Sequence, residues 1–359
     1  MTYMKKAIAL AERGRDVTSP NPMVGCIIVK ENRIVGEGWH KGPGQLHAEA
    51  EALQNASTLA KNADLFVNLE PCCHYGQTPP CTKAIIDAGI KRVHIAIEDP
   101  NPLVQGKGIK QLTKADIQVL LGEEKDRARK LNERFMHFIQ HKTPFVTVKW
   151  AMTLDGKIAS ESGHSKWITG DDTREHVHRI RKSVDAVLVG AQTVKQDDPL
   201  LNVRLDQDNT IRQPLRIILD ATGITSTSSK VYQTSSTLKT LVFTTSGSPI
   251  IWRSQLQSQG VDMQVFDHSP RVDLNEMLKS LGQLNITSLL VEGGASILTQ
   301  FFKQNLVQKF YTYIAPKIIG GSYSPVADLG LDHMSLALRL KIDHTTQFKH
   351  DYLIQGYVR

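Results

Sequence analysis

One histidine, one glutamate and two cysteines near the start of the chain have the side chains of a zinc centre. His47-Ala48-Glu49 lies at the predicted start of a helix, and Cys72 and Cys81 follow a predicted strand. An imidazole and two thiolates supply three protein ligands, and catalytic zinc keeps its fourth position for a water molecule whose pKa falls to about 7. Glu49 is two residues after His47, close enough to reach the metal-bound water and transfer its proton without being a metal ligand. The pattern predicts hydrolytic chemistry, with His47, Cys72 and Cys81 as ligands and Glu49 as the acid/base catalyst.

Cys81 follows two prolines at a predicted helix start, where the helix dipole favours a thiolate and so favours metal binding. The other cysteines of this region are interpreted as structural. Cys73 and His74 are not needed for the ligand count and are interpreted as loop residues. Cys26, inside an apolar strand, is interpreted as a core residue. A purely structural zinc site, or a chance coincidence of these residue types, is the alternative interpretation.

The zinc pattern resembles a known enzyme family. A histidine and glutamate in the order H-x-E, followed by P-C and a second cysteine, form the signature of zinc-dependent base deaminases. Here eight residues separate Cys72 from Cys81, and this long loop resembles the riboflavin-pathway deaminase family. Asn21-Pro22, Val24-Gly25 and Asp99-Pro100-Asn101-Pro102 fit the same family. The resemblance implies a cytidine-deaminase-like domain.

Motifs in the second half resemble a second family. They are residues 149–159, with Asp155-Gly156-Lys157, then 163–170, 189–193, 197–200 and Val291-Glu292-Gly293-Gly294. Glycines between a strand and a helix let backbone N–H groups approach a phosphate, although this is not the dinucleotide-binding fingerprint. Together the motifs resemble the riboflavin-specific reductase family, which implies a dihydrofolate-reductase-like fold and NADPH as cofactor.

The same resemblance implies two sets of contacts in the second half. For any single residue, a surface turn or a solvated charge is the alternative. Arg181 and Arg204 are expected to pair with a substrate phosphate. The residues expected to contact NADPH are Ala151, Trp167, Thr193, Asp197, Gly294, Ala295, Ser296, Ile297, Leu298, Thr299 and Gln300. The residues expected to contact the substrate are Ser165, Arg181, Leu201, Arg204 and Glu292.

Alternating helical and strand patterns predict that both halves are α/β domains. The first half is predicted to contain a β-hairpin over 24–39, a helix over about 47–60, a largely parallel sheet and a charged helix over about 123–140. In the second half, strands are predicted over 145–152, 186–189, 215–219, 241–244, 263–266, 289–291 and 310–315. His141-Lys142-Thr143-Pro144 is the predicted linker, so the expected domains are 1–142, the deaminase, and 145–359, the reductase.

Composition limits the class of partner. The 359 residues carry a formal net charge of +7, which favours anionic ligands. The sequence has no block of five or more consecutive basic residues, so a nucleic-acid-binding surface is not indicated. It also has no apolar run of the roughly 20 residues that a membrane span needs. The start of the chain lacks the features of an export signal, so a cytoplasmic location is expected. The family resemblance adds homo-oligomerisation as an expectation.

Both resemblances together imply a two-step activity on small phosphorylated pyrimidines. The first domain would remove the 2-amino group of 2,5-diamino-6-(5-phosphoribosylamino)pyrimidin-4-one. The second would reduce the ribosyl group of 5-amino-6-(5-phosphoribosylamino)uracil to ribityl, with a preference for NADPH over NADH that the resemblance alone supports. The alternatives are a nucleic-acid base deaminase with an accessory domain, a binding protein with structural zinc, and a chain with one degenerate domain.

Overall fold

A computed structural model describes residues 1–75, 79–205, 212–267 and 269–359 of the chain. This described part divides into two compact units, Met1–Thr143 and Pro144–Arg359. Each unit is an α/β structure with its own sheet and its own apolar cores. Within the same residues, no helix is both long and apolar enough to cross a lipid bilayer.

The first unit has helices on both faces of a mixed sheet. Its helices are α1 (Tyr3–Ala11), α2 (Ala48–Ala56), α3 (Cys81–Asp87), α4 (Lys107–Lys114), α5 (Lys125–Leu131) and α6 (Glu133–His141). Its strands are β1 (Gly25–Lys30), β2 (Arg33–Trp39), β3 (Asp64–Val67), β4 (Arg92–Ile95) and β5 (Gln118–Leu121). Over the described residues the strand order is β2-β1-β3-β4-β5.

Alternating side chains of β1 build the two cores of this unit. Cys26 and Ile28 pack with residues of α2, α3 and α4, whereas Ile27 and Val29 pack with residues of α1 and α5. Successive side chains of a strand point to opposite faces, so one apolar strand serves both layers.

Two details of the first unit differ from the predictions. The predicted hairpin of β1 and β2 is present. Strand β1 is also antiparallel to β3, whereas β3, β4 and β5 are parallel, so the sheet is mixed where a largely parallel sheet was predicted. A buried strand has the same apolar pattern in either direction, so the sequence pattern could not predict the direction of β1 relative to β3. Helix α2 ends at Ala56, where Ser57 has a φ of 48° and a short 3₁₀ turn follows.

The prediction of one charged helix over 123–140 is wrong. Asn132 separates α5 from α6 with φ −100° and ψ 20°. Its amide nitrogen donates to the carbonyl oxygen of Met23 at 2.9 Å, and its Oδ1 accepts from the N–H of Met23 at 2.8 Å. These two bonds join residues 109 positions apart, at the point where the helix is interrupted.

The second unit also has helices on both faces of its sheet. Its helices are α7 (Asp171–Lys182), α8 (Ala191–Asp197), α9 (Lys230–Gln233), α10 (Ile250–Ser258), α11 (Leu274–Gln283) and α12 (Ala295–Lys303). Its strands are β6 (Phe145–Thr153), β7 (Ala186–Gly190), β8 (Leu215–Leu219), β9 (Thr240–Thr245), β10 (Asp262–Phe266), β11 (Ser288–Val291), β12 (Lys309–Ala315), β13 (Leu340–Phe348) and β14 (Asp351–Val358).

Seven parallel strands and an antiparallel hairpin form this second sheet. Over the described residues the order is β10-β9-β8-β7-β11-β6-β12-β14-β13. All seven predicted strands are present, whereas β13 and β14 were not predicted because most side chains of β13 are exposed and form no apolar run. Strands β7, β11 and β6 are neighbours and parallel, so the segments that follow them meet at one edge of the sheet.

Candidate active sites

The side chains predicted as zinc ligands meet at one point. One ligand atom each from His47, Cys72 and Cys81 lies within 4.8 Å of the other two. The Nδ1 atom of His47 is 3.2 Å from the Sγ atom of Cys81 and 3.5 Å from the Sγ atom of Cys72. One imidazole nitrogen therefore faces both sulfur atoms, as the ligands of a single tetrahedral ion must.

Local backbone structure sets this arrangement. His47 immediately precedes α2, and Cys81 is the first residue of α3, so two helix N-termini meet at the cluster. The N–H of Cys81 donates to Sγ of Cys72 at 3.3 Å, and the N–H of Thr82 donates to the carbonyl oxygen of Cys72 at 3.1 Å. The free N–H groups of a helix start stabilise negative charge, which favours a thiolate here.

The two thiols are electrostatically linked. The hydrogen bond from the Cys81 side chain lowers the pKa of Cys72 to about 4, although burial opposes this. The same hydrogen bond, together with burial, raises the pKa of Cys81 above its ordinary range. A metal ion displaces such protons when it binds thiol ligands, and zinc accepts imidazole and thiolate. The donor set fits a zinc ion.

Glu49 lies beside the cluster, on the first turn of α2. Its side chain is buried, and burial raises its pKa to about 7, with a further contribution from the charge of Cys72. A carboxyl group that titrates near neutral pH can accept a proton and release it within one catalytic cycle. These properties suit the acid/base role predicted for Glu49.

The other cysteines have different surroundings. Cys26 is fully buried in β1. The Sγ atom of Cys73 is 3.7 Å from the carbonyl oxygen of Leu103. In the described part of the chain, the ligand cluster includes neither Cys73 nor His74.

In the second unit, a buried carboxylate lies between two cations. Arg181 of α7 donates to Glu292 through Nε to Oε1 at 2.5 Å and Nη2 to Oε2 at 2.9 Å. The Nζ atom of Lys149, on β6, is 3.2 Å from Oε2 of Glu292. Burial alone would raise the pKa of Glu292, but Arg181 and Lys149 outweigh it and hold the pKa well below its usual range.

Lys149 is a site residue for which the sequence predicted no role. A charged residue within the apolar run of β6 was the available signal. Strands β6 and β11 are paired with Val148 opposite Val291, so the residues that follow, Lys149 and Glu292, become neighbours. The sequence alone does not show which strands are paired, so the contact between Lys149 and Glu292 could not be predicted from it.

Arg204, another predicted substrate residue, is linked to Arg181 through Asn202. Nη1 of Arg181 donates to the carbonyl oxygen of Asn202 at 3.1 Å, and Nη1 of Arg204 donates to Oδ1 of Asn202 at 2.6 Å. Arg204 is exposed, whereas Leu201 is 2% exposed and packs in a core. The backbone N–H of Arg204 donates to Nδ1 of His178 at 3.3 Å. Of the two arginines, Arg204 is therefore the more accessible to a phosphate.

The glycines after β11 are joined to α8. Gly294 is the N-cap of α12, and its N–H donates to Oγ1 of Thr193 at 2.9 Å. A Cβ atom on Gly190, at the end of β7, would lie 2.7 Å from Cγ1 of Ile297. A glycine at position 190 thus allows α12 to approach β7 closely. The structure brings the predicted cofactor residues Thr193, Gly294 and Ile297 together.

A second group of predicted residues meets at Asp197. Ser165 donates its hydroxyl to Oδ1 of Asp197 at 3.2 Å, and Lys166 donates from Nζ to the carbonyl oxygen of Asp197 at 3.2 Å. Trp167 is 63% exposed, and the guanidinium carbon of Arg174 lies 4.4 Å from the centroid of its ring. Because Ser165 was predicted for the substrate and Asp197 for the cofactor, the two predicted sets touch here.

Helix α12 presents only some of its predicted cofactor residues to solvent. Ser296 is exposed, whereas Leu298 and Thr299 are 2% and 4% exposed. Leu298 packs in the core, and the hydroxyl of Thr299 donates to the carbonyl oxygen of Ala295 at 2.7 Å. The partly exposed residues of the predicted set are Ala151 on β6 and Gly294, Ala295, Ile297 and Gln300.

Family models match both units. Residues 1–97 match the cytidine and deoxycytidylate deaminase zinc-binding region, and residues 144–354 match the RibD C-terminal domain. The riboflavin biosynthesis protein RibD of Actinobacillus pleuropneumoniae is 41% identical over 361 residues, which cover 100% of this chain and 95% of the relative.

Solved structures show the same similarity. RibD of Acinetobacter baumannii, form 1, superposes with a TM-score of 0.90 at 38% identity, covering 99% of this chain and 98% of that one. A diaminohydroxyphosphoribosylaminopyrimidine deaminase/5-amino-6-(5-phosphoribosylamino)uracil reductase of Thermotoga maritima has a TM-score of 0.87 at 35% identity, with the same coverage.

A zinc-binding deaminase domain followed by a reductase domain defines a bifunctional deaminase and reductase. The second domain indicates a nicotinamide cofactor. The chain belongs to the RibD family of riboflavin biosynthesis proteins. The predicted fold class is confirmed, with a cytidine-deaminase-like first domain and a dihydrofolate-reductase-like second domain. The RibD C-terminal domain excludes the alternative of an unrelated accessory domain.

Proposed function

We propose that residues 1–142 deaminate 2,5-diamino-6-(5-phosphoribosylamino)pyrimidin-4-one and that residues 145–359 reduce the product with NADPH. The observation that carries the first half is the group of His47, Cys72 and Cys81, with one ligand atom each within 4.8 Å and Glu49 buried beside it. The name of the similar Thermotoga maritima protein supports both substrates.

In the deaminase domain, His47, Cys72 and Cys81 would hold a zinc ion, which would supply a Lewis acid that makes water nucleophilic at neutral pH. Glu49 moves the proton. Its carboxylate accepts a proton that the attacking water loses and gives it to the amine nitrogen, which leaves as ammonia when the C–N bond breaks, and the second proton of the water ends on a ring nitrogen. The amino group is thereby exchanged for a carbonyl oxygen with no change in oxidation state.

In the reductase domain, the nicotinamide of NADPH supplies the hydride. Glu292, which is held between Arg181 and Lys149, contacts the substrate. Arg204 binds the substrate phosphate, because it is exposed and is linked to Arg181 through Asn202. Ser165 and Leu201 complete the substrate contacts. Ala151, Trp167, Thr193, Asp197 and the segment 294–300 would hold the cofactor, and the N–H groups at the start of α12 would favour its phosphates.

The partners proposed are small phosphorylated pyrimidines, in agreement with the net charge of +7, and neither nucleic acid nor membrane. The proposed location is the cytoplasm. The protein is a homo-oligomer, and the exposed apolar side chains of Met334, Leu336, Leu340 and Ile342 support this. Light scattering coupled to size-exclusion chromatography measures the number of subunits.

Glu49→Gln tests the function of the first domain. The variant should keep its zinc and lose ammonia release by at least a hundredfold, because only proton transfer is removed. It should still oxidise NADPH when the deaminated product is supplied. Loss of zinc or unfolding of the variant would instead support a structural zinc site.

A further inference from the structure

A buried carboxylate next to the ligand cluster joins two loops. Glu70 lies two residues before Cys72 and is 3% exposed. Its Oε2 accepts from the N–H of Asp99 at 3.2 Å and of Gly106 at 3.0 Å, and its Oε1 accepts from the N–H of Ile109 at 3.1 Å. All three donors belong to the segment between β4 and the first turn of α4. One side chain therefore fastens that segment to the loop that carries Cys72.

The first turn of α4 packs directly on the same loop. A Cβ atom on Gly108 would lie 2.3 Å from the carbonyl oxygen of Pro71 and 3.1 Å from Oε1 of Glu70. Real Cβ atoms do not approach a backbone oxygen this closely, so any side chain at position 108 would push α4 away from Pro71. The glycine permits the contact that Glu70 holds in place.

Helix α4 also contacts the segments that carry the two predicted ligand cysteines. The side chain of Gln111 donates from Nε2 to the carbonyl oxygen of Cys73 at 3.3 Å. Its Oε1 accepts from the hydroxyl of Thr82 at 2.8 Å. Cys73 follows one predicted ligand and Thr82 follows the other, so α4 fixes the separation of the two cysteine segments.

We propose that Glu70 is a positioning residue for the deaminase centre. By holding the start of α4 against Pro71, it fixes the spacing of Cys72 and Cys81, and it sets the segment 99–106 at the rim of the site. It does not contact the reacting atoms. Groups that orient metal ligands without binding the metal typically change metal affinity or activity by about 10- to 100-fold when mutated.

Glu70→Gln in the full-length, zinc-loaded protein tests the proposal. The amide replaces one acceptor oxygen with an NH₂ group that faces backbone N–H donors, so at least one of the three bonds is lost. We expect zinc transfer to a colorimetric chelator to be about 10- to 100-fold faster and kcat for ammonia release to fall by a similar factor. NADPH oxidation with the deaminated product should be unchanged, which shows that the second domain is intact.

Asp64→Asn is the matched control. Asp64 is also an acid bonded within the first unit, to Arg92, but it lies at the other end of β3 from Glu70. Replacement of the Asp64 carboxylate should leave the rate of zinc transfer to the chelator unchanged. Gly108→Ala is a second variant, and it should accelerate zinc transfer by forcing α4 off Pro71 while every carboxylate is kept.

The proposal rests on His47, Cys72 and Cys81 as the zinc ligands, and the experiment separates the two. Wild-type protein that binds no stoichiometric zinc would overturn the ligand assignment. Wild-type protein that binds zinc, with Glu70→Gln and Gly108→Ala releasing it at the wild-type rate, would overturn the role of Glu70 alone. Equal acceleration in Asp64→Asn would also overturn it, because the effect would then reflect general loss of stability.

Discussion

Arg181 and Glu292, which are 111 residues apart in the chain, form two hydrogen bonds between a guanidinium and a carboxylate. Their side chains are 13% and 6% exposed, and Lys149 contacts the same carboxylate. Removal of one partner of a buried ion pair leaves an uncompensated charge and costs about 3–5 kcal/mol.

Glu292→Gln should therefore destabilise the second domain by about 3 kcal/mol and lower NADPH oxidation by at least a hundredfold, with ammonia release retained. Thermal unfolding and the two assays measure this. Glu175→Gln removes an exposed partner of Arg179 on the same helix and should cost less than about 0.5 kcal/mol. Equal effects of the two substitutions would contradict the role of the buried pair.

Thr193 is expected to hold the glycine turn for the cofactor. Thr193→Val removes the acceptor for the N–H of Gly294, a loss of about 1 kcal/mol that should raise KM for NADPH about fivefold with little change in kcat. Thr193→Ser keeps the hydroxyl and should restore KM. Steady-state kinetics of the two variants measure KM for NADPH. An unchanged KM in Thr193→Val would show that Thr193 does not contribute to cofactor binding.

His178 should make stability depend on pH. Burial, reinforced by Arg181 and Arg204, lowers its pKa to about 4, and Nδ1 accepts the N–H of Arg204, which requires the neutral ring. The ordinary pKa in the unfolded chain is about 6.5, so between pH 6.5 and 4 the unfolded state binds the additional proton. Stability of the second domain should fall as pH decreases through this window.

His178→Asn should make that fall shallower, because the differential proton uptake disappears. His333→Asn, at an exposed position, should leave the slope unchanged. Urea unfolding at pH 7 and at pH 5 measures the difference for each variant. Identical slopes in wild type and His178→Asn would show that His178 does not contribute.

Asn132 should be important for the stability of the first domain. Asn132→Ala removes both bonds to the backbone of Met23, and the N–H of Met23 loses its acceptor while the carbonyl oxygen keeps a bond from Nδ2 of Asn68, at a cost of about 2 kcal/mol. Asn55 is the control residue, because it is exposed on α2 and its Nδ2 donates to the carbonyl oxygen of Glu37 at 2.7 Å. Asn55→Ala should cost less than half as much in chemical unfolding.

The grouping of His47, Cys72 and Cys81 could be predicted from the sequence because local features indicate it. His47 and Glu49 share a helix start, and Cys81 begins the next helix after two prolines. Features that depend on distant partners were not predictable in this way. The break at Asn132 depends on Met23, and the place of Lys149 depends on the pairing of β6 with β11. The hairpin of β13 and β14 was not predicted, because most side chains of β13 are exposed and form no apolar pattern.

The most direct test of the two-step activity uses the purified, zinc-loaded protein and the diaminopyrimidine ribosyl phosphate. Ammonia release and NADPH oxidation are followed together, with and without NADPH. We predict ammonia without NADPH, and, when NADPH is present, oxidation that approaches one equivalent per ammonia. Zinc-bound protein that gives neither signal would contradict the assignment of this substrate.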